Sequence, residues 1–318
     1  MKKLLLATAA AVLLAGPAAA QTYPDRTVTI IAPFAPGGII DIASRIVGEA
    51  LTNRWGQQVI VENRAGGSGF IGAQAAKQAD PDGYTLFAAE SGVSLINELI
   101  FPSVPYAMME DFIPITTMSD TPIVLAAHKG TGVTTMAQFI EATRAKPHNF
   151  SSPANGTLNH LAGEWIAVEG GLQLDHIGYR GGAPAATALA SGEVPFGVLA
   201  YSSVLPFVQS GDVTMLATTS AERVAANPNL PTVQEAGIAN VDASQWSAMY
   251  APAGTPKEVV EFLHAEITAV LNDPAVKERF AKVGASTIPQ SQEDFRAMLD
   301  GLREDFASIV KAAGVTAQ

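Results

Sequence analysis

The sequence predicts an α/β protein of two domains, each a mixed sheet flanked by helices. Three observations carry this. The chain has 318 residues, about twice an ordinary domain. Apolar residues make up 48% and charged residues 15%, enough to fill two cores and unlike the composition of a disordered chain. From Thr27 onward short β-branched runs alternate with helical patterns, as layered α/β folds require.

The elements follow in order. Lys2 and Lys3, the apolar run Leu4 to Leu14 and the small residues Ala18-Ala19-Ala20 form a secretory signal peptide over residues 1–20, cleaved after Ala20. The run is too short to span a bilayer, which needs about 20 apolar residues. Val28 to Ala32 reads as a buried strand. Pro36-Gly37-Gly38 turns the chain into a helix carrying Ile39, Ile42, Ala43, Ile46, Val47 and Ala50 at helical spacing. Val59 to Val61 is a strand, Ala65 to Gly69 a glycine turn, Ile71 to Gln78 a helix, and Thr85 to Ala89 another strand.

The middle section predicts strands at Ile123 to Ala127, Phe196 to Ala200 and Met215 to Thr219. Its helices fall near Met136 to Thr143, Leu158 to Glu169 and Ala185 to Ser191. Asp242 to Tyr250 returns as an extended segment. Thr255-Pro256-Lys257-Glu258 reads as a capping box with proline at the first helical position. Asp273-Pro274 starts a second helix that Gly284 closes, and Ser291 with Asp294 starts a third running to about Ala312. The extended segments near 121–125 and 242–250 bracket an insertion. The expected division is residues 21–122 and 246–318 for the first domain and 123–245 for the second, with the ligand cleft between them.

Charge and residue usage exclude several functions. The net charge is −11, and taking away Lys2 and Lys3 leaves −13, so nucleic acid is excluded as a partner. The chain has no cysteine, hence no disulfide, thiolate nucleophile or cysteine metal site. The five histidines show no paired metal spacing, and no G-x-S-x-G, Walker loop or H-E-x-x-H is present. No metal, cofactor or catalytic set is expected.

A strand, a small or glycine turn and a helix recur at Pro36-Gly37-Gly38, Glu90-Ser91-Gly92, Asn155-Gly156-Thr157 and Gly181-Gly182. Helix starts expose unpaired N–H groups and bind carboxylates or phosphates without any lysine. Several, split between two halves, suggest an anion held in the cleft. Thr157 reads as the N-cap of the following helix, with His160 beside it on the helix surface and off the apolar stripe. Gly67-Ser68-Gly69-Phe70-Ile71-Gly72, with Glu90 about 20 residues on, fits a dinucleotide fingerprint. An exported dinucleotide-dependent oxidoreductase is therefore one alternative, and export argues against it.

Motifs along almost the whole chain resemble one known family. They are Pro36-Gly37-Gly38 with Asp41 and Arg45, Val61-Glu62-Asn63-Arg64 with Gly66-Gly67, and Pro81 to Leu86. Further on come Asp111 to Pro114, Gly156-Thr157 with His160-Leu161-Ala162, Tyr179-Arg180-Gly181-Gly182 with Pro184, and Pro231-Thr232 with Glu235-Ala236-Gly237. Trp246 and Ala251 to Pro256 complete the set. The chain is similar in these segments to the substrate-binding proteins of tripartite tricarboxylate transporters, the Bug receptors. The resemblance implies a periplasmic binding protein of the two-domain, type II (Venus flytrap) class. It would capture a small organic carboxylate and deliver it, as a monomer, to the permease subunits in the membrane.

The resemblance also implies the site. Two loops, one per domain, would grip the carboxylate: Phe34 to Asp41, with Phe34, Pro36, Gly37, Gly38 and Asp41, and Ser151 to His160, with Asn155, Gly156, Thr157 and His160. Selectivity would come from a far wall, for which Ser91, Tyr179, Tyr201 and Ser202 are the candidates. The glycine fingerprint belongs to the family pattern and loses its dinucleotide reading. An extracytoplasmic carboxylate sensor, serving a signalling partner in place of a permease, remains the other alternative.

Overall fold

The computed structural model describes residues 23–313; the expected signal peptide and its cleavage point lie outside them. Ten strands run in the order β2-β1-β3-β9-β4-β7-β5-β6, with β8 and β10 also on β4. They are β1 (Val28–Ala32), β2 (Val59–Asn63), β3 (Thr85–Glu90), β4 (Phe112–His128), β5 (His148–Ser152), β6 (Leu174–Gly178), β7 (Phe196–Ala200), β8 (Val213–Thr218), β9 (Ser244–Pro252) and β10 (Ser286–Thr287).

The two lobes share β4. Its first part, from Phe112 to Pro122, pairs antiparallel with β9, which also pairs with β3. From Ile123 to His128 the same strand pairs with β7 and β8. Prolines, which cannot donate to a sheet ladder, are confined to bulges and strand margins, and this strand obeys that rule. A register shift follows Pro114, and Pro122 is where the β9 pairing stops. β1, β2 and β3 are parallel in one lobe, and β5, β6 and β7 in the other. Parallel strands need helical crossovers, so both lobes are covered by helices.

The main helices are α1 (Ile39–Trp55), α2 (Phe70–Lys77), α3 (Asn97–Ile100), α4 (Met108–Asp111), α5 (Met136–Ala145), α6 (Leu158–Gly170), α7 (Gly182–Ser191), α8 (Tyr201–Gln209), α9 (Lys257–Asn272), α10 (Pro274–Lys282) and α11 (Gln292–Ala313). Among the described residues, no helix is long and apolar enough to cross a membrane.

The structure corrects the sequence reading in places. The Thr255 capping box does not form: α9 starts after Pro256, and the Thr255 hydroxyl donates to the Pro252 carbonyl at 2.8 Å. By contrast Asp273 caps α10, accepting from the Ala275 amide at 2.8 Å, and Ser291 accepts from the Asp294 amide at 3.0 Å. The segment 112–120, to which the sequence reading gave no strand, is the first half of β4. β5 and β6 carry His148, Ser151, Asp175 and His176 and lack an apolar run. α8 holds Pro206 inside it, which reads as a helix breaker.

Candidate functional site between the lobes

The lobes meet through glycines. Ala35 of the β1–α1 loop donates its amide to the Arg180 carbonyl at 3.0 Å. A Cβ placed on Gly38 would lie 3.5 Å from the Gly182 nitrogen, and one on Gly37 would lie 3.3 Å from the Ala183 Cβ. A Cβ on Gly92 would fall 2.7 Å from the Gly156 carbonyl oxygen and 2.9 Å from the Thr157 Cα. At Gly92 only a residue without a side chain lets the two backbones approach this closely. The cleft is closed.

A small cavity remains inside this contact. Its wall is built from four helix starts: Gly38, Ile39 and Ile40 at α1, Thr157 at α6, Gly182 at α7, and Ala200 with Ser203 at α8. Phe34, Pro153 and Gln245 complete it, so no charged side chain lines the cavity. Each helix start presents unpaired N–H groups and about half a positive charge. Four of them bordering one small space suit an anion without a basic residue. The cavity holds about 20 Å³, room for roughly one water, since a water needs about 10–15 Å³ by this measure. That space is smaller than a carboxylate group with its carbon chain.

Two polar side chains on this wall are left without a partner. The Gln245 Oε1 and the Ser203 Oγ are buried and accept or donate no hydrogen bond among the described residues. Gln245 is 4% exposed and Ser203 6%. Gln245 stands opposite Thr121 in the β4–β9 pairing.

The sequence-derived candidates divide into two groups. Phe34, Gly38 and Thr157 are brought together on the cavity. Pro36 and Gly37 are exposed and do not line it. Asp41 turns away: its carboxylate accepts from the Gly37 amide at 2.9 Å and pairs with Arg45 at 2.8 Å. Burial opposes its ionisation, but Arg45, the Gly37 amide and Asn63 outweigh that and hold Asp41 below the usual carboxylate range. Thr157 is the expected N-cap, and its hydroxyl is fully engaged, accepting from the His160 amide at 3.3 Å and donating to the Ala154 carbonyl at 2.9 Å.

His160 is a correction. It is 7% exposed, not on the helix surface, and its Nδ1 accepts from the Gly156 amide at 3.2 Å. That takes away one donor expected for the ligand. The ring stacks on His176 with centroids 3.8 Å apart, and burial lowers the two imidazoles to about 4 and about 3, with His160 adding to the effect on His176. Both are neutral. His160 and Asn155 face a separate polar groove of about 450 Å³ together with Glu164, Asp175 and His176.

The far-wall candidates lie elsewhere. The Tyr179 hydroxyl donates to Glu193 at 2.7 Å. Tyr201 packs on Gly284, where a Cβ would come within 2.2 Å of its ring. The Ser91 hydroxyl donates to the Glu90 carboxylate at 3.3 Å. Ser202 is buried with an unpartnered hydroxyl but does not line the cavity. Sequence reasoning missed Ile39, Ile40, Pro153, Gly182, Ala200, Ser203 and Gln245. Gly182 had a usable signal, the fourth of the recurring turns, and Gln245 another, a lone amide in a run that is otherwise buried strand.

The glycine fingerprint has a packing role. A Cβ on Gly72 would lie 2.8 Å from the Pro33 Cα, so Gly72 lets α2 close onto the end of β1. Glu90, the acid of the supposed ribose contact, is fully buried and accepts from the Gly92 and Val93 amides at 2.7 and 3.1 Å.

Comparison with known proteins agrees with this fold. Residues 43–315 match the family model described as tripartite tricarboxylate transporter family receptor. The chain is 33% identical over 304 residues to Protein BugT of Bordetella pertussis, covering 95% of this chain and 93% of that one. Its structure is similar to that of Rpa4515 of R. palustris with adipate, with a TM-score of 0.90, 29% identity, and coverage of 92% and 99% of the two chains. Periplasmic binding protein BugD is also similar, at a TM-score of 0.88 and 30% identity over 93% of this chain and all of that one.

Proposed function

Because the chain belongs to the tripartite tricarboxylate transporter receptor family, whose members are substrate-binding proteins, we propose that it binds a small organic carboxylate between its lobes and performs no chemistry on it. The observation that carries this is the convergence of four helix starts on one cavity with no charged side chain in its wall. Similar proteins are described with adipate and with malate, both carboxylates. The ligand carboxylate takes the first-turn amides of α1 and α6, the two loops expected from sequence, and α7 and α8 add their dipoles.

In this reading residues 21–122 and 246–318 form one domain and 123–245 the other, which the change of partners along β4 at Pro122–Ile123 supports. The receptor acts in the periplasm after export and passes its ligand to a membrane permease; closure of the lobes supplies the shape that a permease distinguishes from the empty receptor. Overall charge plays no part in attraction. A chain with an excess of acids repels an anion at long range, so binding rests on short-range donors, each charged hydrogen bond contributing about 1.5–3 kcal/mol.

A thermal-shift screen of organic acids tests the proposal. A ligand present at 100 times its Kd should add about 2.7 kcal/mol of stability. Stabilisation by one or more carboxylates is the expected result. Stabilisation by NAD and by no carboxylate would overturn it.

A further inference from the structure

The helix starts account for a carboxylate but leave the Gln245 Oε1 and the Ser203 Oγ unused. An unpaired polar atom buried in protein is costly, and here two line one cavity. Gln245 comes from β9, the strand that runs between the lobes, and Ser203 from the first turn of α8. The Ser203 hydroxyl is held against the start of α7, where a Cβ on Gly182 would lie within 2.6 Å of it. Neither side chain has a charged neighbour on the cavity wall. An amide and a hydroxyl each offer both a donor and an acceptor, so together they can satisfy a neutral hydroxyl or keto group.

We propose that Gln245 and Ser203 form the specificity subsite of the cleft and select carboxylates with a hydroxyl or keto group next to the bound carboxylate. The inference rests on the carboxylate-binding reading above. The residual cavity of about 20 Å³ keeps these two side chains within one small space with the helix starts. A ligand atom that reaches them therefore sits beside the carboxylate and not at the end of a long chain. A hydroxyl donates to the Gln245 Oε1 and accepts from Ser203. A keto oxygen accepts from Ser203, with the Gln245 amide rotated to donate. A ligand without either group leaves both side chains unpaired, and sites built to bond a hydroxyl reject the analogue that lacks it.

Titration calorimetry on matched pairs of equal length and charge reads this directly: 2-hydroxybutyrate against butyrate, and malate against succinate. The expected result for the unaltered protein is about tenfold or greater preference for the hydroxylated member of each pair that binds. Gln245→Leu and Ser203→Ala should each shrink that preference severalfold, with a cooperative melt confirming that the variant is folded. Equal affinity within the pairs, or an undiminished preference in both folded variants, would overturn the subsite. If these acids and every other carboxylate in the screen fail to bind, the carboxylate reading itself fails, which is a different result from equal binding.

Discussion

The Gly156 amide donates to Nδ1 of His160 at 3.2 Å, so the second cleft loop is tied to an imidazole that must stay neutral to accept. Nδ1 as acceptor places the ring proton on Nε2, which lies 3.7 Å from the Glu164 carboxylate. Burial holds His160 at about 4 and His176 at about 3, both below the ordinary 6.5. The unfolded chain therefore binds more protons than the folded one between these values. The stability from this pair is complete above about pH 6.5 and is lost as the pH falls towards 4 and then 3. His176→Phe keeps a ring against His160 and removes one titration. Chemical denaturation at several pH values should show a shallower acid decline for that variant, and an unchanged decline would contradict the assignment.

Glu90 works in the opposite direction. Burial pushes it up to about 7 from 4.5, against the lowering effect of the Gly92 and Val93 amides and the Ser91 hydroxyl. Its neighbours Tyr106 and Tyr250 are also buried, with Tyr250 donating to Ser94 at 2.9 Å. A carboxyl that holds its proton longer when folded contributes stability below about pH 4.5 that is lost as the pH rises through 7. Glu90→Gln does not titrate. Raising the pH from 4.5 to 8 should cost the unaltered protein on the order of 3 kcal/mol relative to that variant, measured by urea denaturation. A constant difference across the range would refute this.

Closure depends on Gly92. The residue sits in helical backbone, so alanine is not strained there, but its Cβ would meet the Gly156 oxygen, the Thr157 Cα and Glu90 Oε1 at 2.6 to 2.9 Å. Gly92→Ala should hold the lobes apart. Small-angle scattering should give a larger radius of gyration for the variant than for the unaltered protein under saturating ligand. Identical radii would show that the contact yields without opening.

The two loops proposed to hold the ligand differ in how much a side chain costs. Gly38 has φ −80° and ψ 168°, which valine tolerates, and space for a Cβ at 3.5 Å from Gly182. Gly38→Val extends two methyls from there towards the cavity. It should weaken ligand binding at least about tenfold, roughly 1.4 kcal/mol, with a cooperative melt. Thr157→Ala removes the cap and costs about 1 kcal/mol of stability, but its hydroxyl is already engaged within the protein, so binding should weaken less. Calorimetry on both proteins checks the order, and full affinity in a folded Gly38→Val protein would count against the clamp.

How much of this was legible in the sequence depends on the range over which each signal acts. β1, β7 and the starts of α1, α6 and α10 follow from local chemistry: a β-branched run, a glycine turn, a hydroxyl or carboxylate that caps. The family motifs likewise sit in short segments, and residues of both loops they single out, Gly38 and Thr157, line one cavity. The first half of β4 has no such local signature, and its Pro114 and Pro122 are unfavourable in a sheet interior. β9 alongside overrides them by supplying a partner for the residues between.

The site shows the same division. By itself the sequence determined that helix starts with glycine would face a cleft, because an unpaired amide and a missing side chain are properties of single residues. Which starts converge was decided only by the tertiary structure. Gly38, Thr157, Gly182 and Ser203 lie on four different helices, and one cavity collects them because β4 and β9 carry the chain between lobes. The same packing moved Tyr179 onto Glu193, Tyr201 onto Gly284 and His160 onto Gly156, and left Gln245 facing the cavity. A side chain's partner is fixed by what the fold brings within about 3 Å of it, and for residues far apart in the chain no local pattern encodes that distance.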